Sequence, residues 1–444
     1  MDNHSYSFLS IGIDDIDTPG GGCTTHFGAL LSSYLMKTHG IEFIDYPLLV
    51  RLNPAVPWKT RGNASVVIRV HPGGIDAREL ADEVENLVEE YLGECRFKET
   101  KPGIVVYRGD PWRAFSGFYY KALTDVVTMD MAEKLLERYG GLKRGGRGVI
   151  GALAGVGALG PGEPYSFELL AYRDPGFWGS ERSVGFGSVY EYDVLTGELT
   201  FSNIDYQKRK TIITPHGPDP VLYGVRGTNP EALIKALEII KTGEPVHGWC
   251  LFRSNQGTSV HERTTSIPRY YKTGTMECTV KEESEILPKG HVLVKAECGG
   301  VPLDVLFYRE SFPLNKAAAS LLPGDQIKVT GSIKQRQGKL TLNAEVLYIT
   351  RLVWKRTMIA PRCPRCGARM KSKGSGKGYK CPRCGFYDRR IKSVEVIENR
   401  NLCPGRYVPV AAHIAHLVRP NWLRLPVLDG VPLELVEGWC KLPG

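Results

Sequence analysis

Phe8-Leu-Ser-Ile-Gly-Ile-Asp-Asp-Ile-Asp17 runs into Thr18-Pro-Gly-Gly-Gly-Cys-Thr-Thr25, and Phe27, Leu30, Leu31, Tyr34 and Leu35 then recur at helical spacing up to Gly40. The spacing predicts a strand over 8–15 that ends in acids, a glycine turn and an amphipathic helix. Thr24 or Thr25 is placed to act as the helix N-cap. A second helix is expected over roughly 75–92, with Leu80, Val84, Leu87, Val88 and Tyr91 on one face, and the strand Val66–Val70 lies between the two. Strand–helix–strand–helix makes this an α/β or α+β unit.

A new unit is expected near 116. Residues 129–139 read as a helix, Tyr165–Arg173 and Ser183–Val194 as strands, and Pro230–Lys241 as a helix closed by Gly243. From about 276 the pattern changes to five short strand-like runs, Met276–Lys281, His291–Glu297, Val301–Tyr308, Gln326–Lys334 and Lys339–Thr350. Five strands without a long helix suggest a small barrel, of which the oligonucleotide-binding (OB) fold is the common five-stranded form. A metal-site pattern and a tail from about 394 follow. A chain of 444 residues has room for about three domains. Its longest apolar run, Val149–Gly160, is too short and too glycine-rich for a membrane helix. Met-Asp-Asn-His is no signal peptide, so a soluble cytoplasmic protein is expected.

Asp14, Asp15 and Asp17 bring together the oxygen ligands that Mg²⁺ takes, usually one or two carboxylates plus substrate phosphates. Gly20, Gly21 and Gly22 allow close backbone approach, and the helix start beyond them suits a phosphate. An acidic turn that only caps a helix would read the same way. No GxxxxGK[ST] sequence occurs, which excludes an ordinary P-loop. Arg51-Leu-Asn-Pro-Ala-Val-Pro-Trp-Lys-Thr-Arg-Gly-Asn63 sets Lys59 and Arg61 in a proline-fixed loop, where they could clamp phosphates or serve structure alone. Thr214–Gly227, Arg253–His261 and Lys143–Gly148 are further polar glycine-rich loops; in the last, Arg144 and Arg147 could meet a phosphate backbone.

Net charge is +9, but the window Pro361–Ser393 holds eleven Lys/Arg against Asp388 alone, so it carries +10 and the rest of the chain −1. Charge focused on one small module points to a polyanion such as nucleic acid. Eleven cysteines are unevenly spread: Cys23, Cys95, Cys250, Cys278, Cys298, Cys403 and Cys440 stand alone, while Cys363, Cys366, Cys381 and Cys384 form two CxxC pairs separated by fourteen residues. This is the spacing of a closed structural Zn²⁺ site, and it argues for metal binding over a disulfide framework. His413 and His416 sit three apart in the tail and are read as surface or packing residues.

Taken together, Ile11-Gly-Ile-Asp-Asp-Ile-Asp-Thr-Pro-Gly-Gly-Gly-Cys-Thr-Thr25, Pro57-Trp-Lys-Thr-Arg-Gly-Asn63, Gly146-Arg-Gly-Val-Ile-Gly-Ala152, Thr214–Gly227 and Arg253-Ser-Asn-Gln-Gly-Thr258 resemble the archaeal isoleucine-tRNA 2-agmatinylcytidine synthetase family. The resemblance covers about residues 8–395. Ile16 stands where the family has threonine between the acids, and Gly22 where it has methionine. It implies an α+β multidomain chain: a kinase-like catalytic domain (1–115), a ferredoxin-like domain (116–265), an OB-fold tRNA-binding barrel (274–352), a zinc ribbon (357–393) and a C-terminal tail (394–444). It implies an ATP-dependent ligase that joins agmatine to the wobble cytidine of isoleucine tRNA with a CAU anticodon, so that AUA is read in place of AUG. Phosphorylating the cytosine carbonyl oxygen makes a leaving group that the amine displaces, and ATP ends as AMP and phosphate. By the resemblance, Thr24 of the "CTT" motif becomes phosphorylated and Asp14, Asp15 and Asp17 hold Mg²⁺. Gly21, Gly22, Thr25, Lys59 and Arg61 meet ATP phosphates, and Arg144, Arg147, Lys371, Lys373, Lys377 and Lys380 meet tRNA. Cys363, Cys366, Cys381 and Cys384 hold structural zinc. The partners are tRNA, ATP and agmatine, with no membrane and no obligate protein partner. The alternatives are a non-catalytic tRNA-binding protein and a related ligase using another amine.

Overall fold

The computed structural model describes residues 8–18, 21–59, 62–71, 73–94, 100–265, 267–336 and 338–443. The N-terminal body contains β1 (Phe8–Asp14), α1 (Thr24–His39), β2 (Leu48–Arg51), β3 (Ala64–Val70), α2 (Ala77–Glu94), β4 (Gly103–Gly109), α3 (Pro111–Thr124), α4 (Met129–Tyr139), β5 (Leu142–Gly145) and α5 (Val149–Val156). It continues through β6 (Ser166–Tyr172), α6 (Phe186–Thr196), β7 (Thr200–Phe201), the hairpin β8 (Ile204–Asp205) and β9 (Lys210–Thr211), β10 (Val221–Gly227), α7 (Pro230–Ile234), α8 (Ala236–Ile239) and β11 (Gly248–Ser254). One sheet of order β5-β4-β1-β3-β2-β11-β6-β10-β7 runs through all of this, with β2 and β11 parallel at its centre. The boundary expected near 116 falls inside α3.

The apolar run 149–156 is α5, a buried helix lying on β1, β3 and β4. Glycine allows that approach: a Cβ on Gly12 would stand 2.5 Å from the Ala152 carbonyl oxygen. At the C-terminal end of α5 two arginines are withdrawn from water. Arg69 of β3 donates to the carbonyls of Val156 (3.3 Å) and Ala158 (2.6 Å), and Arg253 of β11 to that of Leu159 (3.2 Å). Both also pair with buried Asp45, Arg69 at 3.3 Å and Arg253 Nε at 2.9 Å. The helix dipole favours cations at this end, and Trp112 and Tyr165 give each guanidinium a ring face, at 4.8 and 5.1 Å.

Two expectations for this region are corrected. Ser183–Val194 is helical from Phe186 on: its buried residues Val189, Tyr192 and Thr196 keep helical spacing, although its aromatic and β-branched content suits a strand. The helix over 230–241 is two short ones that meet at Lys235 and end at Ile240, not at Gly243.

All five later strand runs form. β12 (Thr273–Val280), β13 (Glu285–Ile286), β14 (Val292–Cys298), β15 (Val301–Phe307), α9 (Leu314–Ala318), β16 (Gln326–Arg336) and β17 (Lys339–Arg351) follow the body. Leaving aside β13, β12 pairs with both β14 and β16, β15 joins β17 in parallel, and the sheet closes into a five-stranded barrel. The barrel holds an unexpected bond. Cys278 and Cys298, directly opposite in the β12–β14 register, form a disulfide. The sequence argued for metal binding over a disulfide framework, which one bond does not make, and nothing in the cysteine spacing signalled this pair, because a partner 20 residues away is brought near only by strand pairing.

β18 (Lys355–Ile359) and β22 (Val394–Glu398) pair along their whole length into a two-stranded stem, and the ribbon, with β19 (Lys371–Ser372), β20 (Tyr379–Lys380) and β21 (Tyr387–Asp388), hangs between them. The tail then turns back. β23 (Gly405–Tyr407) adds to β17 of the barrel, and β24 (Cys440–Lys441) adds to β11 of the body. Among the described residues no helix is long and apolar enough to cross a membrane.

Candidate active site

The site grows from the end of β1. Asp14 closes the strand, and Asp15 takes a left-handed φ of 61°, which turns the chain sharply. The loop beyond is closed on itself: Thr18 N donates to the Gly22 carbonyl (3.0 Å), and Gly22 N to Thr18 Oγ1 (2.8 Å). Thr24 and Thr25 are not the N-cap. Cys23 occupies that position without a side-chain cap, and Thr24 is the first helical residue. Asp17 does the capping from upstream by accepting the Thr24 N–H at 3.0 Å, and Thr24 Oγ1 accepts from Ile16 N at 3.3 Å. Gly21 has φ 129°, and a Cβ there would meet the Trp178 ring at 3.0 Å.

Asp14, Asp15 and Asp17 line one cavity of about 390 Å³ together with Trp58, Lys59, Asp125 and Arg147. Burial, opposed by the Asp15 N–H and reinforced by Asp15 and Asp17, holds the Asp14 carboxyl well above the usual carboxylate range. Its Oδ2 lies where a Cβ on Gly151 would stand, 1.7 Å away, so α5 can pass the carboxylate only with glycine at that position. Asp15 is raised too, again by burial, against the pull of Arg147, whose guanidinium reaches Asp15 Oδ2 at 3.3 Å and the Trp58 carbonyl at 3.0 Å. Lys59 is lowered by its burial, with Lys334 adding to the effect. Arg61, Pro19 and Gly20 lie outside the described residues.

A second cavity, of about 430 Å³, shares the Asp17 and Ala64 wall with the first. Thr24, Thr25, Gly62, Arg51, Glu168, Arg226, His216 and His416 line it. Buried Glu168 links the two arginines, Arg226 Nε at 3.0 Å and Arg51 at 3.7 Å. Nothing in the sequence marks Arg51, Arg226 or Glu168 as site residues. No local spacing joins strands β2, β6 and β10, and only the sheet order brings them together. His416 comes from the returning tail, where its carbonyl accepts from Gly257 N at 2.7 Å.

The residues expected to meet tRNA are dispersed. Arg144 is engaged with α2, its Nε 2.7 Å from Asp82 Oδ1, while Arg147 stands in the first cavity. Lys371, Lys373, Lys377 and Lys380 are exposed on the ribbon, with Lys371 and Lys380 opposite each other in register.

The four ribbon cysteines place their sulfurs within 4.8 Å of one another, and Cys-Pro-Arg-Cys-Gly occurs at both turns. Gly367 N donates to the Cys363 carbonyl (2.9 Å) and Gly385 N to that of Cys381 (3.1 Å), with both glycines at positive φ. Twin turns presenting four converging thiols fit structural Zn²⁺. Among the described residues the three aspartates do not converge in this way. They fit Mg²⁺ held by one or two carboxylates and completed by phosphate.

Three family models match: the TiaS TCKD domain over residues 10–75, the TiaS FLD domain over 146–261 and the TiaS C-terminal zinc ribbon over 360–402. The isoleucine-tRNA 2-agmatinylcytidine synthetase TiaS of Acidilobus saccharovorans is 43% identical over 438 residues, covering 97% of this chain and 98% of the relative. This chain belongs to the TiaS family. Its TiaS relative from Ignisphaera aggregans is 37% identical, covering 94% of this chain and 93% of the relative. Among solved TiaS structures, the complex with isoleucine tRNA and ATP superposes with a TM-score of 0.82 at 30% identity, covering 98% of this chain and 99% of that one. The TiaS complex with isoleucine tRNA, AMPCPP and agmatine gives 0.77 at 28%, covering 94% and 97%.

Proposed function

We propose that this chain is an ATP-dependent ligase that conjugates agmatine to the wobble cytidine of the CAU-anticodon isoleucine tRNA, turning an AUG reader into an AUA reader. One observation carries the reading: three aspartates and Arg147 line a cavity that shares its Asp17 wall with a second, where Thr24, Arg51 and Arg226 stand. Phosphoryl transfer needs acids for a divalent ion on one side and cations for phosphate oxygens on the other.

On this reading Asp14, Asp15 and Asp17 would hold Mg²⁺, which supplies charge neutralisation for the transferring phosphoryl group. Lys59, Arg61 and Arg147 orient phosphate oxygens. Gly21 and Gly22 let phosphate approach the backbone beside Thr25, and the Thr24 hydroxyl stands at the helix start as the phosphate acceptor. The cytosine carbonyl oxygen takes up a phosphoryl group, the agmatine amine attacks C2, and phosphate leaves with that oxygen. The cytidine has to leave its stack to enter. We assign catalysis to a kinase-like unit over 1–115 and a ferredoxin-like unit over 116–265. The barrel over 274–352, read as an OB fold, and the zinc ribbon over 357–393 hold the tRNA, largely by its backbone. Lys371, Lys373, Lys377 and Lys380 supply exposed cations for this, with Arg144 at the edge of the body.

The test is incorporation of radiolabelled agmatine into this tRNA with ATP present or omitted. We expect ATP-dependent label that falls by about 10²–10³-fold in Asp15→Asn, the loss typical of removing one electrostatic contact to a transition state. No label from a chain that still binds the tRNA tightly would replace the ligase with an RNA-binding protein or a ligase for another amine.

A further inference from the structure

The tail histidine His416 has no role in the reaction outlined above. Its ring opens into the second cavity, among groups from five separate elements: Arg51 on β2, Arg226 on β10, Glu168 on β6, Asp17 beyond β1, and His216 and Asp219 in the loop before β10. Lys59, from the loop after β2, also acts on it. Glu168 is shared by Arg51 and Arg226, and Asp219 is paired with Arg182 at 3.4 Å. Arg51, Arg226 and Lys59 thus face one shared acid and Asp17, whose Oδ1 already accepts from Thr24 N. Thr24 and Thr25 line the same space. Among the described residues the His416 imidazole has no hydrogen-bond partner, and the backbone at this point is fixed by the Gly257 contact.

We propose that His416 binds a phosphate group of the nucleotide in this cavity and takes up a proton as that phosphate enters. The proposal rests on the ligase reading only in supposing that ATP enters here. Without a ligand, Arg51 above all, with Arg226 and Lys59, holds the imidazole well below its ordinary value, so it is neutral near pH 7. A phosphate neutralises these same cations and adds a negative charge beside the ring. Both changes favour the imidazolium, which then donates to a phosphate oxygen in a charge-assisted bond.

The experiment is calorimetric titration of ATP into the full chain at about pH 6.5, the ordinary histidine value, in two buffers that differ in ionisation heat. Protons lost by the nucleotide itself are common to all variants and cancel in the difference. The unaltered chain is expected to take up as much as about one proton more per ATP than His416→Asn, and the variant to bind ATP about tenfold more weakly. If His416→Asn melts lower than the unaltered chain, His416→Gln replaces it. Equal proton exchange in the unaltered chain and a folded variant overturns the proposal. Agmatine incorporation, run on the same preparations, separates the two readings. A chain that shows the proton difference but conjugates no agmatine keeps the histidine assignment and loses the ligase. A chain that binds no ATP loses both.

Discussion

In the body, Arg69 and Arg253 are wholly buried around Asp45, and each finds a carbonyl and an aromatic face besides. In the ribbon, Lys371, Lys373, Lys377 and Lys380 all stand in solvent over a buried core of only Cys363, Met370 and Cys381. The difference follows from size. A ten-stranded sheet with helices on it buries enough apolar surface to dehydrate two guanidinium groups, given a shared carboxylate, carbonyl acceptors and a ring face for each, even though Arg69 Nε and Arg253 Nη1 have no hydrogen-bond partner. The ribbon module buries too little to fix its own shape, so four thiolates and a metal must do so. Its cations remain free to meet a partner's phosphates.

Chelation should break the contrast most sharply. Zinc binding by small cysteine modules is worth about 10–16 kcal/mol, so metal removal is expected to unfold 360–393 and leave body and barrel intact. Limited proteolysis with and without chelator reads this as cleavage confined to the ribbon, with a loss of tRNA affinity; a ribbon that stays resistant after its metal is gone would contradict the size argument. Next in magnitude is Asp45→Ala, which strands two buried arginines and is expected to cost about 3–5 kcal/mol in urea unfolding. A loss below about 1 kcal/mol would mean that the carbonyls and rings suffice without the carboxylate. The smallest effect sharpens the comparison inside the body. Asp14 is half-buried beside acids, its native pKa raised above the unfolded one, so its contribution to stability is full at low pH and is lost as pH rises through the native value. Asp14→Asn should therefore melt higher than the unaltered chain at neutral pH in the absence of divalent ions, with the advantage vanishing on acidification. A melting point that falls at neutral pH would show that Asp14 is stabilised as an anion.

Sequence spacing revealed those parts whose physics is local. The strand β14 alternates Val292, Val294, Ala296 and Cys298 inward, and α2 buries Leu80, Val84 and Val88 on one face. The four zinc-site cysteines lie within 22 residues of one another. What escaped was long-range. Val189, Tyr192 and Thr196 had helical spacing, but their residue types suggested a strand. The Asp17 cap on Thr24 replaces the local threonine cap by a contact seven residues away. Arg51, Glu168 and Arg226 meet only because β2, β11, β6 and β10 are neighbours in the sheet. The tail shows no helical or strand spacing: Leu417, Leu428, Trp439 and Leu442 join the apolar core of the body at irregular intervals.

The path of that tail also orders events during synthesis. The wall that carries His416 lies downstream of the ribbon, so translation delivers the module proposed to hold RNA before the residues that complete the second cavity. A chain interrupted between the two would have its metal-held cations on display and an unfinished cavity behind them. On the proposed roles, it would occupy RNA without being equipped to change it.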